Sequence, residues 1–119
     1  MKITYRIHAE FLRTVANPRR LEILHLLRDG RLSVTQLSAA MGVTLAAASQ
    51  ELAPLRLAGI LRTHREGKTV YYAVANAKVL RACDLLGEAM RELQVARAMA
   101  MDEPASRIEP FPQRSKQRA

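Results

Sequence analysis

Cysteine is nearly absent from this sequence: Cys83 stands alone, so the chain cannot close a disulfide on itself. Tryptophan is missing and aromatic residues make up 4%, which leaves aliphatic and methionine side chains to fill any core. No apolar run approaches the roughly 20 residues of a membrane span. The opening MKITYRIHAEF lacks the apolar centre of a secretory leader, and a cytoplasmic protein without a membrane partner is expected. The signatures of catalysis are missing as well. His8, His25 and His64 are scattered, no glycine-rich phosphate loop appears, and no nucleophile, base and orienting group converge. Neither an enzyme nor a cofactor or metal site is expected.

What is present is positive charge and hydrophobic patterning. The 119 residues carry a formal net charge of +8 with 49% hydrophobic residues, and the isoelectric point is near 10.6. That length supports one modest core. The charge favours an anionic partner.

The patterning centres on Ser33–Leu61. Ser33 and Gln36 fit a capping box at a helix start. Val34, Leu37 and Met41 continue at helical spacing, and Gly42 supplies the left-handed stop. Thr44 then caps a second helix, in which Leu45, Ala48, Leu52 and Leu55 share one face. The opposite face centres on Gln50, with Ala46, Ala47 and Ala53 around it. Short side chains about one amide permit close approach to another surface, as a recognition helix needs in a DNA major groove. A generic helical hairpin would show the same spacing. Pro54 predicts a kink near Gln50–Leu52, or a helix that bends there while its leucine face stays buried. Glu51, which phosphate would repel, is expected to pair with a nearby arginine, to tune against non-specific binding, or to accept from a cytosine amino group.

Two strand-like runs flank Glu66-Gly67, with Arg62, His64, Arg65 and Lys68 at or near the tip. A basic hairpin directly after a helix-turn-helix reads as a wing lying on phosphate; the plainer reading is a solvated hairpin tip.

The flanks read as helices. Ile3, Ile7, Phe11 and Val15 recur every four residues, giving a stripe that packs on its own domain or on a second subunit. Asn17-Pro18 opens a helix to about Arg28, with Leu21, Ile23, Leu24, Leu26 and Leu27 as a broad buried face. His25 within it is expected at the core edge rather than as a ligand. Arg13, Arg19 and Arg20 are either phosphate contacts or ordinary surface charge. After the wing, a helix capped by Asn76 runs to about Met101, with Val79, Cys83, Leu86, Met90 and Leu93 in a heptad seam. A second copy of the chain would bury that seam; folding back on its own domain is the alternative. Cys83 on the seam is a small buried hydrophobe or a thiol sensor at a dimer interface. The expected organisation is a domain over residues 1–102 and a disordered basic tail over 103–119, rich in proline and without periodicity.

Four segments together resemble the ArsR/SmtB winged-helix repressors over about residues 9–95. They are Ala16–Leu24 (ANPRRLEIL), Leu37–Val43 (LSAAMGV), Leu52–Leu61 (LAPLRLAGIL) and Arg65–Tyr72 (REGKTVYY). The resemblance implies a mainly α fold with a small β-hairpin wing and helical dimerisation elements at both ends. It implies a homodimer on an operator near its own promoter, released by a small inducer. It carries Thr44, Ser49 and Gln50 over as DNA contacts, with Arg62, Arg65 and Lys68 on phosphate. The family's inducer sites do not carry over. Where the arsenic and cadmium type has a Cys-Val-Cys-Asp box, this chain has Ser33, Val34, Thr35 and Gln36, which offer no thiolate. The zinc positions correspond to Asn76, Lys78, Ala89 and Glu92, a single carboxylate where zinc wants about four N, S or O ligands. The redox type's cysteine pair is reduced to Cys83. The expected function is therefore a dimeric sequence-specific repressor of double-stranded DNA that is not a classical metal sensor. A thiol-responsive repressor, one that answers to no small inducer, and a winged-helix protein-interaction module are the alternatives.

Overall fold

The computed structural model describes residues 2–100, so the expected tail over 103–119 lies outside the described residues. The order is α1 (Lys2–Val15), α2 (Pro18–Leu26) running into a 3₁₀ turn (Leu27–Asp29), β1 (Leu32–Ser33), α3 (Val34–Met41), α4 (Leu45–Leu57), β2 (Leu61–Glu66), β3 (Thr69–Val74) and α5 (Ala77–Ala100). The chain divides after Ala77 into two compact units.

In the first unit, local chemistry sets the helix ends. The Asn17 side chain accepts from the N–H groups of Arg19 and Arg20 at 2.9 and 3.3 Å, satisfying two orphan donors at the start of α2. Pro18 sits at the first helical position, where its missing N–H costs nothing. Ser33 and Gln36 form the reciprocal capping box of α3, at 3.2 Å from Gln36 N–H to Ser33 Oγ and 2.9 Å from Ser33 N–H to Gln36 Oε1. Gly42 ends α3 with φ +68°, a left-handed conformation that an L side chain resists. Thr44 then caps α4, accepting from Ala47 N–H at 3.0 Å.

The core of this unit is aliphatic: Ile23, Leu24 and Leu27 from α2 and its turn, Leu37 from α3, Ala48, Leu52 and Leu55 from α4, then Ile60 and Leu61. Leu21 and Leu26 are half-buried. One expectation for α4 needs correction. Leu45, placed on the buried face, is 52% exposed; it is the first residue of α4, one turn short of Ala48, and the core ends there. The helix runs through Pro54 from Leu45 to Leu57 with Leu52 and Leu55 still buried, and it closes with Ala58 N–H donating to Pro54 O at 3.0 Å.

The sheet holds one strand more than the hairpin. β1 pairs antiparallel with β3 (Leu32 opposite Tyr72, Ser33 opposite Tyr71), so β3 is the central strand. Two residues are too short for any hydrophobic period to announce them. In the hairpin Glu66 faces Thr69, so the turn is Gly67-Lys68 rather than Glu66-Gly67. Gly67 at φ +62° takes the first turn position, which in tight two-residue loops demands positive φ. The result is a winged helix-turn-helix, mainly helical with a small three-stranded antiparallel sheet among the described residues.

Among the described residues the second unit consists of α5 from Lys78 onward. Along it Val79 and Cys83 are half-buried, while Leu86, Met90 and Leu93 of the heptad seam are exposed.

Candidate nucleic-acid interface

The face of α4 opposite its buried stripe is open. Ala46, Ser49, Gln50 and Ala53 are exposed, Ala47 is half-buried, and Thr44 is exposed at the helix start. At 100° per residue Gln50 lies nearly opposite Ala48, Leu52 and Leu55, so burial of those three aims Gln50 outward. Leu45, missed by periodicity, adds an apolar side chain at the exposed tip.

Glu51 stands on the flank of this face and does not point into it. Its Oε1 lies 3.3 Å from Arg20 Nε, in a pair whose side chains are only 22% and 16% exposed. Arg20 Nη1 also donates to the carbonyl of Thr14 at 3.0 Å. Of the arginines considered for phosphate, Arg20 is thus engaged inside the protein, while Arg13 and Arg19 are exposed.

Arg62, His64, Arg65 and Lys68 are all exposed, but the strand register distributes them. Arg62 faces Ala73 near the base of the hairpin, away from the tip where it was expected. Side chains alternate along a strand, so Arg62, His64 and Glu66 occupy one face and Arg65 shares the other with Leu61 and Thr63. Lys68 sits in the turn. On the first face Glu66 Oε1 accepts from Arg31 Nη1 at 2.9 Å and lies 3.4 Å from His64 Nε2. The guanidinium of Arg31 stacks over the Tyr71 ring at 4.3 Å. The hydrogen bond from Arg31 holds the Glu66 carboxyl below its ordinary range, opposed by desolvation and helped by the charges of Arg31 and His64. Reciprocally, Glu66 raises Arg31 above the usual arginine value. His64 is therefore partnered to a carboxylate, and Arg65 and Lys68 are the wing cations away from it. Arg31 was missed because neither a motif nor a period marks it; its role depends on β1 lying beside β3.

Among the described residues no group of three His, Cys, Asp or Glu is placed to hold a metal. The half-buried His25 lies 3.1 Å from Arg28 Nη1 through Nδ1. No helix among these residues is long and apolar enough to cross a membrane. On α1, Ile7 is 60% and Phe11 37% exposed, beside exposed Ile3, Tyr5 and Leu12.

The model of the bacterial regulatory protein arsR family matches residues 17–63, from the cap of α2 into β2. The transcriptional activator HlyU of Vibrio cholerae is 41% identical over 75 residues, 63% of this chain and 69% of that protein. The chain belongs to the ArsR family. Two solved structures extend the likeness of this ArsR-family protein to the fold. One is the transcriptional repressor BigR from Xylella fastidiosa, with TM-score 0.67, 30% identity, and coverage of 75% of this chain and 91% of that one. The other is the homodimeric winged helix-turn-helix DNA-binding domain Mb0332 from Mycobacterium bovis, with TM-score 0.70, 33% identity, and coverage of 76% and 84%. ArsR-family proteins are DNA-binding transcriptional regulators, not enzymes.

Proposed function

We propose that this ArsR-family protein is a sequence-specific transcriptional repressor that acts in the cytoplasm as a homodimer. The observation that carries the reading is the outer face of α4, where short side chains surround the outward-aimed Gln50 on a helix seated firmly by its opposite face. In the major groove Ser49 and Gln50 meet base edges, Ala46 and Ala47 allow the close approach, and Thr44 meets the backbone. Leu45 at the tip suits a thymine methyl. Arg65 and Lys68 bind phosphate from the wing, with Arg62 and His64 on its other face.

The exposed residues Ile7 and Phe11 on α1, and Leu86, Met90 and Leu93 on α5 with Val79 and Cys83, supply the dimer surface. A dimer sets two recognition helices to read half-sites one turn apart, about 34–36 Å. The homodimeric domain from Mycobacterium bovis supports this arrangement. Release by a classical soft metal is disfavoured, because Ser33 and Gln36 are spent on the α3 cap and offer no thiolate.

Binding of the purified protein to duplex DNA from upstream of its own gene, against scrambled duplex, tests the reading. Selective binding by a dimer, with steep salt dependence, is expected. Lys68→Ala should weaken both duplexes and shallow the salt slope by about one unit, whereas Gln50→Ala should change which sequence is preferred. Equal affinity for both duplexes overturns sequence-specific repression. Specific binding that is lost on oxidation, restored by reductant and retained in oxidised Cys83→Ser would assign the release step to Cys83.

A further inference from the structure

We infer that Arg20 is the positioning residue that fixes the recognition helix relative to the dimerisation helix, and so sets the spacing of DNA half-sites the protein accepts. This rests on the reading above, in which α1 helps form the dimer and α4 reads DNA.

The geometry joins three elements at one guanidinium. Arg20 lies in the first turn of α2, with its own backbone N–H held by the Asn17 cap. Its Nη1 donates to Thr14 O, one of the carbonyls that the end of α1 at Val15 leaves without an intrahelical donor. A cation there also complements the negative end of the helix dipole. Its Nε donates to Glu51 of α4. Arginine suits the position better than lysine, because two nitrogens of one planar fork serve two acceptors on different helices and a lysine ammonium is a point donor on a flexible stem.

Glu51 is the neighbour of Gln50, about 100° round the α4 axis. Anchoring Glu51 fixes the rotation of α4, and with it the direction in which Gln50 points. Holding the end of α1 at the same guanidinium ties that rotation to the helix that meets the partner. In a dimer the distance and twist between the two Gln50 side chains are thereby set through Arg20. The carboxylate beside the reading face acts as the handle by which the helix is held.

The test uses the full chain and a duplex selected by the wild-type protein from a random library, remade with one base pair added or removed between its half-sites. Each such change moves one half-site by about 3.4 Å and about a tenth of a turn. Wild-type protein should bind the selected spacing best. Arg20→Met should stay dimeric and lose about tenfold on the selected duplex, a coupling of the size seen for neighbours in one salt-bridge network. On the altered spacings it should lose less than about twofold, so that the preference flattens. Arg20→Lys should restore part of the preference. Uniform weakening at every spacing would overturn the proposal and make Arg20 an ordinary positive charge. Should Arg20→Met fail to fold, Glu51→Gln decides: a flattened profile supports the proposal and an unchanged one overturns it. A wild-type protein indifferent to spacing removes the dimer reading itself, visible without any variant, and the proposal with it.

Discussion

The helical body and the wing are each tied by one arginine–glutamate pair. In the body, Arg20 and Glu51 meet at 3.3 Å with side chains 22% and 16% exposed. On the wing, Arg31 and Glu66 meet at the shorter distance of 2.9 Å but are 43% and 52% exposed. The shorter contact is the weaker tie, because water and salt screen exposed charges and leave such pairs worth little. The surroundings follow the same division. The body seats α4 on Ala48, Leu52 and Leu55, all at most 1% exposed, whereas in β2 only Leu61 at the base is buried. Few buried contacts and many exposed hydrogen bonds mark a segment that opens at low free energy. In the proposed function the body presents side chains that must hold register with bases, and the wing presents cations to a phosphate surface that tolerates displacement.

That contrast can be broken most forcefully in the body. Leu52→Ala empties a fully buried site and should cost about 2–5 kcal/mol of stability by denaturant unfolding; a loss below about 1 kcal/mol would mean that α4 is not seated as described. Next comes the cap. Ser33→Ala removes one half of the α3 capping box and should cost about 1 kcal/mol in the same assay, with DNA affinity reduced only in proportion to the unfolded fraction. The smallest effect belongs to the wing. Glu66 has its carboxyl lowered by Arg31, so its contribution is present above the ordinary carboxylate range and is lost as pH falls through the lowered value. The melting temperatures of wild type and Glu66→Gln should therefore differ slightly near neutrality and converge in acid. A large gap at neutral pH, or a gap that widens in acid, would show that the wing pair is stronger than its exposure implies.

Much of this was legible along the chain because short-range chemistry decides it. The Asn17-Pro18 start, the Ser33–Gln36 box, Gly42 and the Thr44 cap each involve groups within four residues of one another, and each forms as read. The stripe Ala48, Leu52 and Leu55 is buried because three residues at helical spacing have one side on which to meet the core. Leu45 belongs to the same stripe and is exposed, since periodicity gives the direction of a side chain and not where the core stops. The hairpin turn moved by one residue to Gly67-Lys68 because the pairing of Glu66 with Thr69 sets it. The placement of Arg62 at the base of the wing followed from the same register.

The sequence by itself determined the helix-turn-helix, the basic hairpin and the family, since caps, turns and hydrophobic periods are written in neighbouring residues. Only the tertiary structure decided which charges remain exposed and which are paired. Arg20 is drawn to Glu51 across 31 positions, and Arg31 to Glu66 through the pairing of β1 with β3. An ionic partner is chosen by distance in space, which residue spacing does not encode; identical arginines in one basic chain therefore end as a tie between helices, a clasp on the wing, or an exposed cation.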